Sequence, residues 1–425
     1  MIKIYQEDLA TMKKIVMDYT EQVVDLKIEA AVQEIISTVK KTGDQALINY
    51  AKQFDQVDIT DLKVADEDLT QAWEQLDPKL KASLELAAKN IRSFHELEKE
   101  KGFVDVSQPG IVRGQKVTPL KRVGLYVPGG TAAYPSTILM NAIPAKIAGV
   151  KELVVVTPPQ PTGVNPVVLA AAKLAGVDAV YQVGGAQAIA ALAYGTETIQ
   201  PVDKIVGPGN IFVATAKKQV FGTVAIDMVA GPSEIGILAD ESAKASELAA
   251  DLLSQAEHDI RARAMLVTNS LQLAQEVAKE IDHQLKLLPR QKIAQAAIND
   301  RSFIAVMPKI EEMFTLMNLI APEHLEIQLV EPTLYLGLVE NAGSVFLGRY
   351  ASEPLGDYLA GPNHVLPTGG TARFSSPLGV YDFVKRIQFV QYSATALADA
   401  KAAVTNLARA EGLEAHARAI EARFE

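Results

Sequence analysis

Glu323 and His324 are neighbours in the stretch I-A-P-E-H-L-E-I, residues 320–327, which sets a carboxylate beside an imidazole. An imidazole exchanges a proton near neutral pH, and a carboxylate does so once burial raises its pKa. In a strand the two side chains would face opposite ways, whereas on the first turn of a helix they lie about 100° apart and can share one pocket. Pro322 suits a helix start, so the sequence predicts a turn or a first helical turn here. Taken alone, the pair is also what a packed histidine and an acid stabilised by a helix dipole would give.

The chain has six histidines, and four of them (His258, His324, His364 and His416) fall in stretches rich in other polar ligands. Gln255 and His258 stand three apart on a predicted helix over 242–258 and so share a face. Asp357 and His364 belong to a long polar loop, and Glu411 and His416 lie near the C-terminus. Two imidazoles with oxygen donors suit a divalent first-row metal, zinc first, with manganese or cobalt as substitutes. By themselves Gln255 and His258 could equally be a neutral helix face. Terminal segments usually fray, so a ligand at His416 requires the tail to dock on its own body or on a second subunit. His95-Glu96 begins like the zinc motif H-E-x-x-H, but position 99 is Lys. His95 and His283 therefore read as surface or packing residues.

The elements that must position these groups follow from periodicity. The first hundred residues predict amphipathic helices, one over 28–40 broken at Thr42-Gly43-Asp44, another from Asp77-Pro78 to about Lys101. Residues 109–122 predict short strands with turns. A regular alternation follows: strand 123–128, the glycine-rich G-G-T-A-A-Y-P-S-T, helix 138–149, strand 153–157, helix 167–175, strand 179–183, helix 187–194, strand 204–206, the turn G-P-G-N and helix 211–219. Strands alternating with helices imply parallel βαβ units, which bind ligands at the carboxyl ends of their strands. G-P-G-N-I-F carries Phe212 where the third glycine of G-x-G-x-x-G would stand, and no G-x-x-x-x-G-K-[ST] is present, so motif alone does not assign a nucleotide. A second α/β block starts near Ala225, with strands 264–268 and 303–306, one long helical run over 271–298 and helix 311–319. The loop over 354–379 is long enough to be functional or disordered. The tail over 397–423 predicts helix interrupted at Gly412. The expected fold is α/β, with two Rossmann-like parallel-sheet domains, a helical N-terminal region and a helical C-terminal tail. Its boundaries are 1–105 (helical, part packing on the second α/β domain), 106–224 (first α/β domain, NAD side), 225–378 (second, metal and catalytic side) and 379–425 (tail completing the partner's site).

Composition bounds the function. At 425 residues and 48% hydrophobic, the chain can build more than one core. A net charge of −10 argues against nucleic acid, which wants a basic face. No apolar run approaches a membrane span, and M-I-K-I-Y-Q-E-D has no apolar signal region, which predicts a cytoplasmic protein. There is no cysteine, which removes disulfides, thiolate metal sites and cysteine nucleophiles together.

S-Q-A-E-H (Ser254–His258), A-P-E-H-L-E (Ala321–Glu326), N-A-G-S-V-F-L-G (Asn341–Gly348), G-P-N-H-V-L-P-T (Gly361–Thr368), A-G-P-S-E (Ala230–Glu234) and V-P-G-G-T-A-A-Y-P-S-T (Val127–Thr137) together resemble the histidinol dehydrogenase family. The matches run in order from about Tyr126 to His416, and the N-terminal helices carry none. The resemblance implies a zinc-dependent, NAD-linked oxidation of L-histidinol to L-histidine through the aldehyde. It implies zinc on Gln255, His258, Asp357 and His416, acid–base roles for Glu323 and His324, and NAD contacts from Tyr126, Gln187 and Asn210. Ser233, His324, Asp357, Glu411 and the metal ligands would contact substrate, with His364 helping to position it. It also implies a homodimer in which the C-terminal segment completes the partner's active site, which accounts for a ligand so near the chain end.

The residues bear independently on that chemistry. His324 suits the base that takes the hydroxyl proton. Aldehyde oxidation needs a tetrahedral adduct, and without cysteine water must add, with Glu323 as a reasonable activator. The metal either holds the substrate's nitrogens or polarises its hydroxyl, and the resemblance favours holding. A relative acting on another small alcohol such as a sulfonated diol, a non-catalytic metal-binding protein and a metallohydrolase stand as alternatives. The first would want arginine or lysine at His364 and Glu411, and the third an open metal position without a nucleotide.

Overall fold

The computed structural model describes residues 2–20, 26–129, 134–229 and 231–425. Residues 130–133 of the glycine-rich stretch and Ala230 of A-G-P-S-E lie outside the described residues. The chain divides into two compact units, one of residues 1–98 and 120–383, the other of residues 99–119 and 384–425.

The first unit carries two parallel sheets. The five-stranded one runs, edge to edge, Ala179–Gln182, Glu152–Thr157, Arg122–Tyr126, Lys204–Val206 and Ala225–Ile226. Both faces are covered. Val123, Leu125, Leu153 and Val155 face helices Pro78–His95, Pro135–Ala148 and Pro166–Ala175. Tyr126, Val154 and Val156 face helices Leu26–Thr42, Gly185–Tyr194 and Ile211–Val220. Strands buried on both faces read as continuous apolar runs, which is why L-V-V-V is legible as one. The chain enters at the central strand Arg122–Tyr126, builds outward on one side, then crosses to Lys204–Val206. The switch point between these two strands is where open α/β sheets bind ligands.

The six-stranded sheet runs Lys3–Tyr5, Phe303–Val306, Arg263–Thr268, Glu234–Ala239, His324–Gln328 and Ser344–Leu347, all parallel. Helices Ala245–Ala256, Leu271–Gln284 and Gln291–Arg301 cover one face, Leu9–Thr20 and Ile310–Ile320 the other. Its switch point lies between Glu234–Ala239 and His324–Gln328.

Several elements depart from the expectations. The N-terminal region is divided between the sheets: Lys3–Tyr5 is a strand of the second, and helix Leu26–Thr42 packs on the first. The helical run over 271–298 is broken, because Leu285–Leu287 is a 3₁₀ turn and Pro289 bars a continuous helix. The stretch 379–425 opens with a nine-residue strand, Val384–Tyr392. It pairs antiparallel with Ile111–Pro119, itself one long strand, and Phe103–Asp105 completes a three-stranded sheet. With helices Ala394–Ala410 and Glu414–Glu421 this sheet forms the second unit. Arg409 bonds both Glu414 and Glu421, which ties those helices together.

Candidate active site

The Glu323-His324 pair does not open a helix. Helix Ile310–Ile320 ends at Ala321 with a left-handed φ of 50°, and His324 begins a strand. Parallel pairing on both sides, His324 with Ile235 and with Ser344, outweighs the helix-start preference of Pro322. The two side chains share a cavity because Glu323 precedes the strand and escapes its alternation.

The Glu234 peptide fixes both. Its N–H donates to Glu323 Oε2 at 2.9 Å, and its carbonyl lies 3.1 Å from His324 Nδ1. A carbonyl only accepts, so Nδ1 carries the proton and Nε2 is left as the bare acceptor. Nε2 is buried without a hydrogen-bond partner, 3.9 Å from Asp357 Oδ1 and 4.0 Å from Glu353 Oε1. Burial pulls the His324 pKa down to about 4, so the ring is neutral at pH 7 and free to take a proton. Burial pushes Glu323 well above the usual carboxylate range, and the charges of Glu234, Asp357 and Glu353 add to the rise.

Glu323 and His324 line a cavity of about 550 Å³ together with Ser233, Gln255, His258, Asp357 and His364. Gln255 lies in the last turn of helix Ala245–Ala256, and His258 lies in the turn just beyond it rather than in the helix expected over 242–258. The His258 N–H still reaches the Gln255 carbonyl at 3.2 Å, which keeps both on one side. Asp357 comes from a short helix, Glu353–Tyr358, within what the sequence predicts as loop. The Glu353 N–H on Glu326 Oε1 at 2.8 Å anchors that helix. His364 Nδ1 meets the Asp357 carbonyl at 3.0 Å. Glu411 caps the C-terminal end of helix Ala394–Ala410 and His416 lies in Glu414–Glu421, both in the second unit and both exposed.

Glu353 was not singled out by sequence, because Pro354 and Gly356 disguise its helix. It is buried, bonded to the Ser254 hydroxyl at 3.0 Å, and its pKa is raised to about 9 by burial and then by Asp357. Donor atoms of His324, Glu353 and Asp357 lie within 4.8 Å of one another, close enough to hold a metal ion. Gln255 Oε1, His324 Nε2 and Glu353 Oε1 are all buried without a partner. Orphaned acceptors round one cavity fit a bound cation.

A second cavity of about 580 Å³ is lined by Tyr126, Gln187 and Asn210, and shares Pro128 and Asn210 with the first. Tyr126 ends the central strand and its hydroxyl accepts the Gly185 N–H at 3.1 Å. Asn210 caps helix Ile211–Val220 through the N–H groups of Phe212 and Val213. Two glycines are required here. Gly185 has φ of 63°, and a Cβ would meet Gln187 Oε1 at 2.6 Å; at Gly207 (φ of 105°) it would meet the Tyr126 carbonyl at 2.1 Å. Below this turn a buried Lys217 bonds Asp227 and, at 2.9 Å, the Gly207 carbonyl. The nucleotide-sized cavity lies at the carboxyl ends of the first sheet. The acid–base pair lies at the amino ends of the second.

The family model described as histidinol dehydrogenase matches residues 19–424. The chain belongs to the histidinol dehydrogenase family. Over 424 residues it is 68% identical to the histidinol dehydrogenase of Lactiplantibacillus plantarum, covering 100% of this chain and 99% of that one. The histidinol dehydrogenase of Listeria monocytogenes is 59% identical over 400 residues, 94% of each chain. The crystal structure of histidinol dehydrogenase from Elizabethkingia anophelis superposes with a TM-score of 0.93 at 37% identity, covering 100% of this chain and 98% of that one. The family is one of oxidoreductases. Among the described residues no helix is long and apolar enough to cross a membrane.

Proposed function

We propose that this chain oxidises L-histidinol to L-histidine through L-histidinaldehyde in the cytoplasm, with NAD as acceptor and zinc as resident metal, as a homodimer with shared sites. The observation that carries the mechanism is His324 Nε2, a neutral, unpartnered nitrogen in the cavity that also holds Gln255, His258 and Asp357. His324 takes the proton of the substrate hydroxyl at Nε2, and the resulting imidazolium is stabilised by the Asp357 carboxylate 3.9 Å away. Glu323 takes the proton of the water that adds to the aldehyde, and the hydrated aldehyde then loses its second pair of electrons to become the carboxylate. Gln255, His258, Asp357 and His416 of the partner subunit would hold zinc. When bound, zinc would fix the substrate's amine and imidazole nitrogens and offset the repulsion among Glu323, Glu353 and Asp357. Ser233 and His364, with Glu411 of the partner subunit, would complete the substrate's surroundings.

NAD would occupy the cavity of Tyr126, Gln187 and Asn210 and supply the hydride acceptor where that cavity meets the first. The N-terminus of helix Gly185–Tyr194, which has no side-chain cap, suits its pyrophosphate. Dimerisation is supported by the second unit, whose sheet leaves Phe103, Val104, Ile387, Phe389 and Val390 exposed, an apolar surface of the kind that marks interfaces.

Purified protein mixed with limiting histidinol and excess NAD should form two NADH per histidinol, and none after chelation until zinc is restored. One NADH per histidinol would reduce the enzyme to a simple alcohol dehydrogenase, and none with metal present would reject the proposal.

A further inference from the structure

Helix Asp44–Tyr50 runs directly into a five-residue π-helical turn, Ala51–Asp55, and Gln56 then closes it with a left-handed φ of 57°. Single π turns inserted in helices mark functional sites, and a non-glycine residue at positive φ is strained. The turn sets Phe54 and Asp55 into the wall of the 580 Å³ cavity. Among the described residues, Asp55 is the only carboxylate lining that cavity, and no lysine, arginine or histidine lines it. Its Oδ2 is buried without a hydrogen-bond partner, so the fold itself gives this atom nothing to do. Burial raises the pKa of the Tyr126 phenol and the nearby charge of Asp55 adds to the rise; the phenol oxygen holds the Gly185 N–H at the start of helix Gly185–Tyr194. A carboxylate and the start of helix Gly185–Tyr194 thus line one cavity.

That pairing matches how doubly wound folds bind a dinucleotide, with pyrophosphate on the helix end and an acid on the adenosine ribose. Here the acid does not come from the end of a neighbouring strand, as in the usual fingerprint, but from the N-terminal helices. The end of the cavity shared with the catalytic one is marked by Pro128 and Asn210, and Asp55, Phe54 and Ile35 line only the nucleotide cavity. The nicotinamide must reach the shared end, which assigns the adenosine to the unshared residues.

Resting on the NAD reading above, we infer that Asp55 accepts the ribose hydroxyls at the adenosine end of the cofactor and, by its charge, excludes a 2′-phosphate, so that it sets selectivity for NAD over NADP. A phosphate there would face a carboxylate with no cation among the described lining residues to compensate, and like charges held close together repel.

The test is titration calorimetry of the zinc-loaded enzyme with NAD and with NADP, repeated with Asp55→Asn and Asp55→Ser, and with thermal melts to check folding. The wild type should bind NAD tighter than NADP. Asp55→Asn should weaken NAD roughly tenfold or more, the worth of a hydrogen bond to a charged group, while narrowing the NAD/NADP ratio. Asp55→Ser, which also makes room, should bind NADP more tightly than the wild type does. If folded variants keep the wild-type ratio, or if the wild type binds both cofactors equally, the role of Asp55 is refuted while the NAD reading stands. A wild type that neither binds nor reduces NAD refutes both.

Discussion

Replacing Glu323 by Gln tests the division of labour between the two neighbouring residues. The substitution is nearly isosteric, and the carboxamide oxygen can still accept the Glu234 N–H that Oε2 accepts at 2.9 Å. Burial and three neighbouring carboxylates raise the proton affinity of Glu323, which suits a general base, and a buried charge of this kind does not stabilise the fold. Stability should therefore change by no more than about 1 kcal/mol, the net worth of one hydrogen bond. What is lost is the proton acceptor for water. General base catalysis is worth roughly 10²- to 10⁴-fold, or about 3 to 5 kcal/mol in the barrier. Aldehyde oxidation should fall by that factor, while alcohol oxidation, which uses His324 Nε2, should fall by less than about tenfold. Rapid mixing with histidinol under single-turnover conditions should then show one fast NADH and one slow one, with aldehyde trapped by a hydrazine in between. Equal losses in the two steps would refute the assignment of water activation to Glu323.

His416→Asn should lower zinc content and activity, and mixing it with Glu323→Gln subunits should restore activity in heterodimers; metal analysis and activity of the mixture check both, and no recovery argues against shared sites. The metal-free protein should lose stability as pH rises from 6 to 9, because a carboxyl whose folded pKa is raised, as Glu353 is to about 9, favours folding only while it stays protonated. Melting temperatures against pH should show this slope, shallower in Glu353→Gln and shallower again with zinc. Asp227→Asn leaves Lys217 buried without its carboxylate and should cost about 3 to 5 kcal/mol in denaturant titrations, with part of it regained in the Lys217→Met/Asp227→Asn double variant.

Repeating strands and helices made both parallel sheets legible, since strands such as 153–157 carry apolar residues on both faces and are closed off by turn glycines. The tail helices and the break at Gly412 were legible for the same reason. Strand Val384–Tyr392 was not. Lys385, Arg386 and Gln388 interrupt its apolar pattern, and only pairing with Ile111–Pro119, far away in sequence, makes it a strand. Strand His324–Gln328 was hidden in the same way behind Pro322, and Glu353 behind Pro354 and Gly356.

The order of motifs along the chain determined which residue types were available: an acid beside an imidazole, Gln255 three before His258, Asp357, and no thiol to serve as nucleophile. Tertiary structure alone decided their states. The Glu234 carbonyl chooses the His324 tautomer, burial sets its pKa, and packing leaves Asp55 and Glu353, unremarked in the sequence, each with one buried carboxylate oxygen unpartnered. Proton affinity and hydrogen-bond satisfaction depend on which distant segments exclude water from a side chain, and local sequence carries no record of those neighbours.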